Sequence, residues 1–295
     1  MLLHHHVKST DQVYIWEERG CIPFDELIVS WNASRPQHGD FFISISLWNG
    51  KWSPWINYAL WGAGKQLTFE HKVENYRSYQ DTLEVLDGRL VEGFRIKVEG
   101  PIECLRSLHA SLRNTQTYRL IADCSLEDSI ALDVPGLSQM ALSDPRNKRI
   151  CSPTSTAAVL RYFNCPVEII KFADKVRDEA FDIYGNWVLN IAQAAHELSS
   201  FHCCVGRLAG IDEMLSFCRR GFPVVVSVKG PLAGSALPYE GGHLLVVRGY
   251  EANQKRLLCM DPGFPQDSLT QVSYPLSDFA AAWGRRQGLA YLFWQ

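Results

Sequence analysis

The chain contains no apolar run approaching the ~20 residues that a membrane-spanning helix needs. It also lacks a surplus of positive charge: 29 Lys and Arg face 32 Asp and Glu, for a formal net charge of −3. That balance excludes the electrostatic footprint of a nucleic-acid-binding protein. The nine cysteines are odd in number and lack the spacing of a disulfide framework, and Cys203 and Cys204 are adjacent. Such usage points to reduced thiols in a cytoplasmic compartment, with export by a non-classical route left open. Met1–Thr10 has neither the long apolar core nor the small-residue cleavage site of a secretory signal. His4–His6 could bind metal but reads more readily as a solvated tail; no metal site is expected, and no cofactor. There is no internal repeat and no low-complexity segment. What is present is a globular composition, 46% hydrophobic and 21% charged over 295 residues, enough for one or two domains.

The two halves differ in pattern. Leu27, Val29 and Trp31 alternate with opposite-face neighbours, as do Phe41, Ile43, Ile45 and Leu47, and Phe94–Val98 is another period-two strand. Asn49-Gly50 is a hairpin signal, with Lys51–Trp55 as the start of the return strand. Many short strands without helices predict an all-β sandwich over residues 1–128. Six of the nine tryptophans fall here: Trp16, Trp31, Trp48, Trp52, Trp55 and Trp61. Their alternating positions favour a core role, and contact with a glycan or a protein through this Trp-rich half stays open. Beyond residue 128, helical patterns at 152–163, 167–180, 187–198 and 212–220 accompany strands at 223–229, 243–250, 256–260 and 289–294. Helices combined with an antiparallel sheet predict an α+β domain over residues 129–295.

The residue with the most chemistry in its setting is Cys151. Pro153 suits a first helical turn, Thr156, Leu160 and Phe163 recur at helical spacing, and Asn164-Cys165-Pro166 stops the helix. A helix mouth offers free N–H groups and a positive dipole end, and both favour a thiolate. A short buried cysteine acting as a small hydrophobe is the competing reading.

A thiol nucleophile needs a base, and the base needs an orienting group. Of His196, His202 and His243, only His243 stands at the lip of an apolar strand after a glycine pair, Gly241-Gly242. If Gly249 pairs with Lys255 across the hairpin that follows, His243 lies directly opposite Asp261. Opposed residues share a sheet face. Asp261 also opens Asp-Pro-Gly, which is turn chemistry. Gln139, twelve residues before Cys151, is the candidate side-chain donor to an oxyanion, beside the Cys151 N–H. Asn147 and the Asp144-Pro-Arg146 turn compete for that place.

The order Gln139, Cys151, His243, Asp261 is that of the papain-like cysteine peptidases. The segments Pro135-Gly-Leu-Ser-Gln139, Cys151-Ser-Pro-Thr-Ser155, Gly242-His-Leu-Leu-Val-Val-Arg-Gly-Tyr250 and Met260-Asp-Pro-Gly263 resemble the C39-like group of that family. Ser30-Trp-Asn-Ala33 and Trp52-Ser-Pro-Trp55 are similar to the β-sandwich found ahead of such domains in some bacterial members. The resemblance implies a papain-like fold in the second half. It also implies hydrolysis of peptide or amide bonds by a Cys-His-Asp triad with a glutamine oxyanion donor, acting on a peptide or protein substrate. Ser152 departs from the glycine usual after the cysteine in bacteriocin-processing members, and those members precede a transporter, so double-glycine leader cleavage is not implied. The same triad would serve an acyltransferase or amidase, and a non-catalytic binding module is the remaining class.

Overall fold

The computed structural model describes residues 1–9 and 11–295. They form two compact units: residues 1–118 with 176–199, and residues 119–175 with 200–295.

The first unit holds two antiparallel sheets. One runs, edge to edge, through Leu2–His6, Leu105–Arg113, Glu26–Ala33, Thr82–Val85, Tyr76–Tyr79 and His71–Val73. The other runs through Val13–Phe24, Val91–Glu99, Asp40–Trp48, Ile56–Gly62 and Gln66–Thr68. Trp31 of one meets Trp61 of the other edge to face, with ring centroids 6.2 Å apart. His4–His6 is no solvated tail: it lies within a strand in which His4 pairs with His109, because residues 2–6 complete the edge of the first sheet. The Asn49-Gly50 turn forms, but the return strand starts later than expected, at Ile56.

A helix joins these strands from further along the chain. Of the helices α1 (Cys151–Tyr162), α2 (Ile169–Val176), α3 (Trp187–Glu197), α4 (Ile211–Arg219) and α5 (Leu276–Gly284), α3 clusters with the first unit. Buried carboxylates account for this. Asp81 accepts the Trp187 N–H at the start of α3 at 2.8 Å. Asp178 accepts from Thr68 and, at 2.8 Å, from the amide of Asn186, which caps α3. Local periodicity identifies α3 as a helix but carries no trace of these long-range partners.

The second unit is built on a sheet in the order His202–Arg207, Leu289–Trp294, Val224–Val228, His243–Glu251, Arg256–Met260, Gln271–Pro275, with Ile130–Ala131 also pairing to the His243 strand. Helix α1 packs on the His243 strand, and α4 and α5 pack on the same sheet. Val224, Val226, Val228, Leu245, Val247 and Leu257 join Met214 and Leu215 of α4 and Phe279 and Trp283 of α5 in one core.

The hairpin register differs from expectation. Glu251 pairs with Arg256 and Gly249 with Leu258, then a bulge intervenes, and Val247 pairs with Cys259 and Val246 with Met260. Continued one step, this sets Asp261 opposite Leu245, so His243 lies diagonal to Asp261 and not directly across. The bulge decides the face. Without it, Asp261 would fall opposite Val246 and point away from His243, since a slip of one residue inverts a strand.

Gly249 makes the bulge tolerable. A Cβ there would stand 1.9 Å from the Ile130 carbonyl oxygen, in the strand that crosses beside it. Gly249→Ala is expected to destabilise the fold by about 1–3 kcal/mol, the usual cost of overpacking. Denaturant unfolding should show a lower midpoint at constant slope; an unchanged midpoint would mean that the bulge absorbs a methyl group.

Candidate active site

Cys151 is the first residue of α1, and its capping neighbour Ile150 supplies no side-chain acceptor. The first N–H groups of a helix have no intrahelical partner, so those at this end remain available to an anion. Two hydroxyls of the first turn tie the helix to the sheet: Ser155 donates to the Leu244 carbonyl at 3.0 Å, and Ser152 shares a 2.9 Å hydrogen bond with the Tyr291 hydroxyl. Ser152 thus has a structural partner of its own. The Cys151 thiol is half-buried and near enough to the His243 imidazole for the ring to act on its ionisation.

The other face of the imidazole edge meets Asp261. His243 Nε2 lies 2.8 Å from Asp261 Oδ1, which leaves Nδ1 as the nitrogen on the thiol side. Asp261 is fully buried and accepts from every direction: the Tyr239 hydroxyl at 2.8 Å, the Tyr274 hydroxyl at 2.6 Å and the Gly263 N–H at 2.9 Å. Tyr239 also stacks on His243, with ring centroids 4.0 Å apart and planes 9° from parallel. One side chain therefore fixes both the tilt of the ring and the acceptor that holds it.

These contacts set the charges. Burial opposes ionisation of the Cys151 thiol, but the hydrogen bond and charge of His243, with the N–H groups of Leu244 and Ser152, more than reverse it and bring the thiol below its ordinary value. Burial likewise opposes the imidazolium, and the Asp261 carboxylate overrides it and raises His243 well above the ordinary imidazole value. Asp261 itself is held low: burial works against it, and the charge and hydrogen bond of His243, then the Tyr274 hydroxyl, prevail. The thiols of Cys21, Cys104, Cys124, Cys204, Cys218 and Cys259 all move the other way, raised chiefly by burial.

Gln139 is buried near this centre. Its backbone N–H donates to the Pro262 carbonyl at 3.0 Å, one residue past Asp261, and its side-chain amide donates to the Asn147 carbonyl at 2.8 Å. One amide hydrogen thus remains. Asn147, the competing donor, turns its amide toward the Leu142 carbonyl, and Arg146 is engaged by Asp144 and Asp174. His196 accepts the Arg35 N–H in the first unit, and His202 stacks on Trp294. Tyr239 and Tyr274 escape sequence reasoning. Tyr274 reaches Asp261 only because the Gln271–Pro275 strand pairs beside Arg256–Met260, with Tyr274 opposite Leu257.

The Peptidase C39 like family model matches residues 131–291. No curated protein matches the chain. Among solved structures, a C39-like peptidase from Bacillus anthracis is 20% identical over 57% of this chain and 98% of its own, with a TM-score of 0.44. The peptidase domain of Streptococcus ComA, a bi-functional ABC transporter involved in a quorum sensing pathway, is 19% identical over 54% of this chain and 97% of its own, with a TM-score of 0.37. A double glycine motif protease from an AMS/PCAT transporter, solved with its leader peptide, is 18% identical over 56% of this chain and 96% of its own, with a TM-score of 0.38.

The two shifts of the buried pair act in opposite pH windows. The raised His243 contributes stability below the unfolded imidazole value of about 6.5 and loses it as pH rises through the folded value. The lowered Asp261 contributes above the unfolded value of about 3.9 and loses it as pH falls through its folded value. Asp261→Asn removes the charge that holds His243 protonated, so the acid limb of Cys151 alkylation by iodoacetamide should move to higher pH. A pH–rate profile that stays in place would show that Asp261 does not govern the imidazole.

Proposed function

The chain belongs to the Peptidase C39 like family, and from that premise we propose that it hydrolyses peptide bonds with Cys151 as nucleophile, His243 as acid and base, Asp261 as orienting carboxylate and Gln139 as oxyanion donor. The observation that carries this reading is geometric: Cys151 opens α1, and His243 is held 2.8 Å from the buried Asp261; in keeping with it, Cys151 is lowered while six other cysteines are raised. A buried thiol that ionises easily beside a protonated imidazole is costly unless the charge is used.

The Cys151 sulfur attacks the scissile carbonyl carbon, and the carbonyl π electrons move onto oxygen. That oxyanion is received by the Cys151 N–H, which has no intrahelical acceptor, and by the second amide hydrogen of Gln139. The His243 imidazolium gives its proton to the leaving nitrogen as the C–N bond breaks, leaving a thioester. Neutral His243 then takes a proton from water, whose oxygen attacks the thioester, and collapse releases the acid and restores the thiolate–imidazolium pair. Asp261 keeps the ring in one tautomer and orientation throughout.

In this reading residues 129–295 carry the papain-like peptidase, and residues 1–128 carry a β-sandwich accessory domain built on the two facing sheets. The substrate is a peptide or protein. Nine free thiols support a reducing, cytoplasmic compartment. A glycan-stacking role for the tryptophans has less support. Trp16, Trp31 and Trp61 are core residues, and the rings of Trp48, Trp52 and Trp55 are already covered by Arg19, Arg95 and Lys97 at 4.2–5.1 Å.

Cys151→Ala should abolish cleavage of a quenched-fluorescent peptide library while leaving the unfolding midpoint in place. Gln139→Ala should lower kcat by roughly 10²–10³ and leave alkylation of Cys151 in place, since an oxyanion donor acts on the intermediate and not on the thiol. Turnover by Cys151→Ala would refute the nucleophile assignment, and a normal kcat for Gln139→Ala would remove that residue from the mechanism.

A further inference from the structure

Gly241 and Gly242 precede His243, and the group they admit is a guanidinium. Arg286, in the turn after α5, donates from Nη2 to the Gly241 carbonyl at 2.6 Å and packs directly on Gly242. A Cβ on Gly242 would stand 1.9 Å from that nitrogen, and the residue has φ +101°, a conformation that glycine adopts without strain. Arg286 therefore lies against the backbone that delivers His243 to the thiol.

Its charge is not neutralised. Among the described residues no carboxylate lies within ion-pair distance of Arg286, and its buried Nε–H has no acceptor. Glu240, adjacent in sequence to Gly241, is exposed and forms no ion pair. More positive charge surrounds it. Arg207 donates to the Arg286 carbonyl at 2.9 Å, and Arg285 donates to the carbonyl of Lys229, which follows Val228, the residue paired with His243. Burial, and then Arg207, lower the Arg286 guanidinium below its ordinary value, and the charge of an ionised Cys151 opposes them. A chain of net charge −3 thus brings three arginines, Arg207, Arg285 and Arg286, to the strand end that carries the base.

We infer that Arg286 is a specificity-determining residue that receives an anionic group of the substrate beside the scissile bond, so that the substrate class is peptides with a carboxylate at a position flanking the cleaved bond. The inference rests on Cys151 being the nucleophile. A guanidinium without a carboxylate partner, anchored by one N–H on the backbone that leads into His243, has the fork geometry for a carboxylate.

The test compares two alkylating agents of similar size, anionic iodoacetate and neutral iodoacetamide, acting on Cys151 of the full chain. The ratio of the two rates cancels any change in thiol reactivity common to both, and the His243 charge is present in each comparison. Arg286→Gln should lower the iodoacetate-to-iodoacetamide ratio by about fivefold to tenfold, Arg286→Lys should retain most of it, and added salt should lower it in the unmodified chain. Cleavage of peptides bearing Asp or Glu on either side of the bond should exceed that of their Asn or Gln counterparts, and Arg286→Gln should erase the preference. A reactive Cys151 whose ratio is unmoved by Arg286→Gln, or by salt where that variant does not fold, overturns the inference and leaves the thiol mechanism standing. A Cys151 that neither reagent labels overturns that mechanism and the inference with it.

Discussion

A single buried carboxylate governs the second unit. An ionised Asp261 without partners would cost several kcal/mol, because the interior replaces none of its hydration. The fold meets that cost with the Tyr239 and Tyr274 hydroxyls, the Gly263 N–H and the His243 ring. These donors come from the loop before the His243 strand, from the strand beyond Arg256–Met260, and from the turn that Asp261 begins. Asp261 therefore closes one end of the sheet, and removing any donor would leave the charge underpaired at that junction.

Electrostatic order spreads outward from it. The carboxylate holds His243 protonated, the protonated ring lowers Cys151, and α1 adds the N–H groups of its uncapped end. Each step trades desolvation against a nearby opposite charge, and in each the charge prevails. Cys204, Cys218 and Cys259, buried without an imidazolium beside them, are raised chiefly by burial. Arg286 extends the pattern by one positive charge that no carboxylate among the described residues pairs, which is where a substrate anion would complete it.

The first unit solves a different problem. Its sheets interlock through Trp31, Trp61 and Tyr58, whose hydroxyl accepts the Val29 N–H and donates to the Asp81 carbonyl. Across the outer face of the second sheet, Arg19, Arg95 and Lys97 alternate with Trp48, Trp52 and Trp55, so that large aromatic surfaces carry cations and not bare apolar patches.

Some of this was legible in the residues themselves. The helix behind Cys151, the alternation of 27–31, 41–47 and 94–98, and the glycine pair before His243 are local signals, produced by side-chain period and backbone freedom within a few positions. The family likeness likewise rests on short segments read in order. What local signals could not supply was anything depending on pairing. The strand formed by His4–His6 needs His109 beside it, α3 needs Asp81 and Asp178, and Tyr274 meets Asp261 across two strands. The hairpin register is the clearest case: a straight ladder from Gly249 and Lys255 sets His243 against Asp261, whereas the chain inserts a bulge at Gly249, where the Ile130 carbonyl leaves no room for a Cβ. Both routes place the two side chains on one face, but only the tertiary structure decides which, since a bulge is dictated by the neighbouring strand and leaves no period of its own in the sequence.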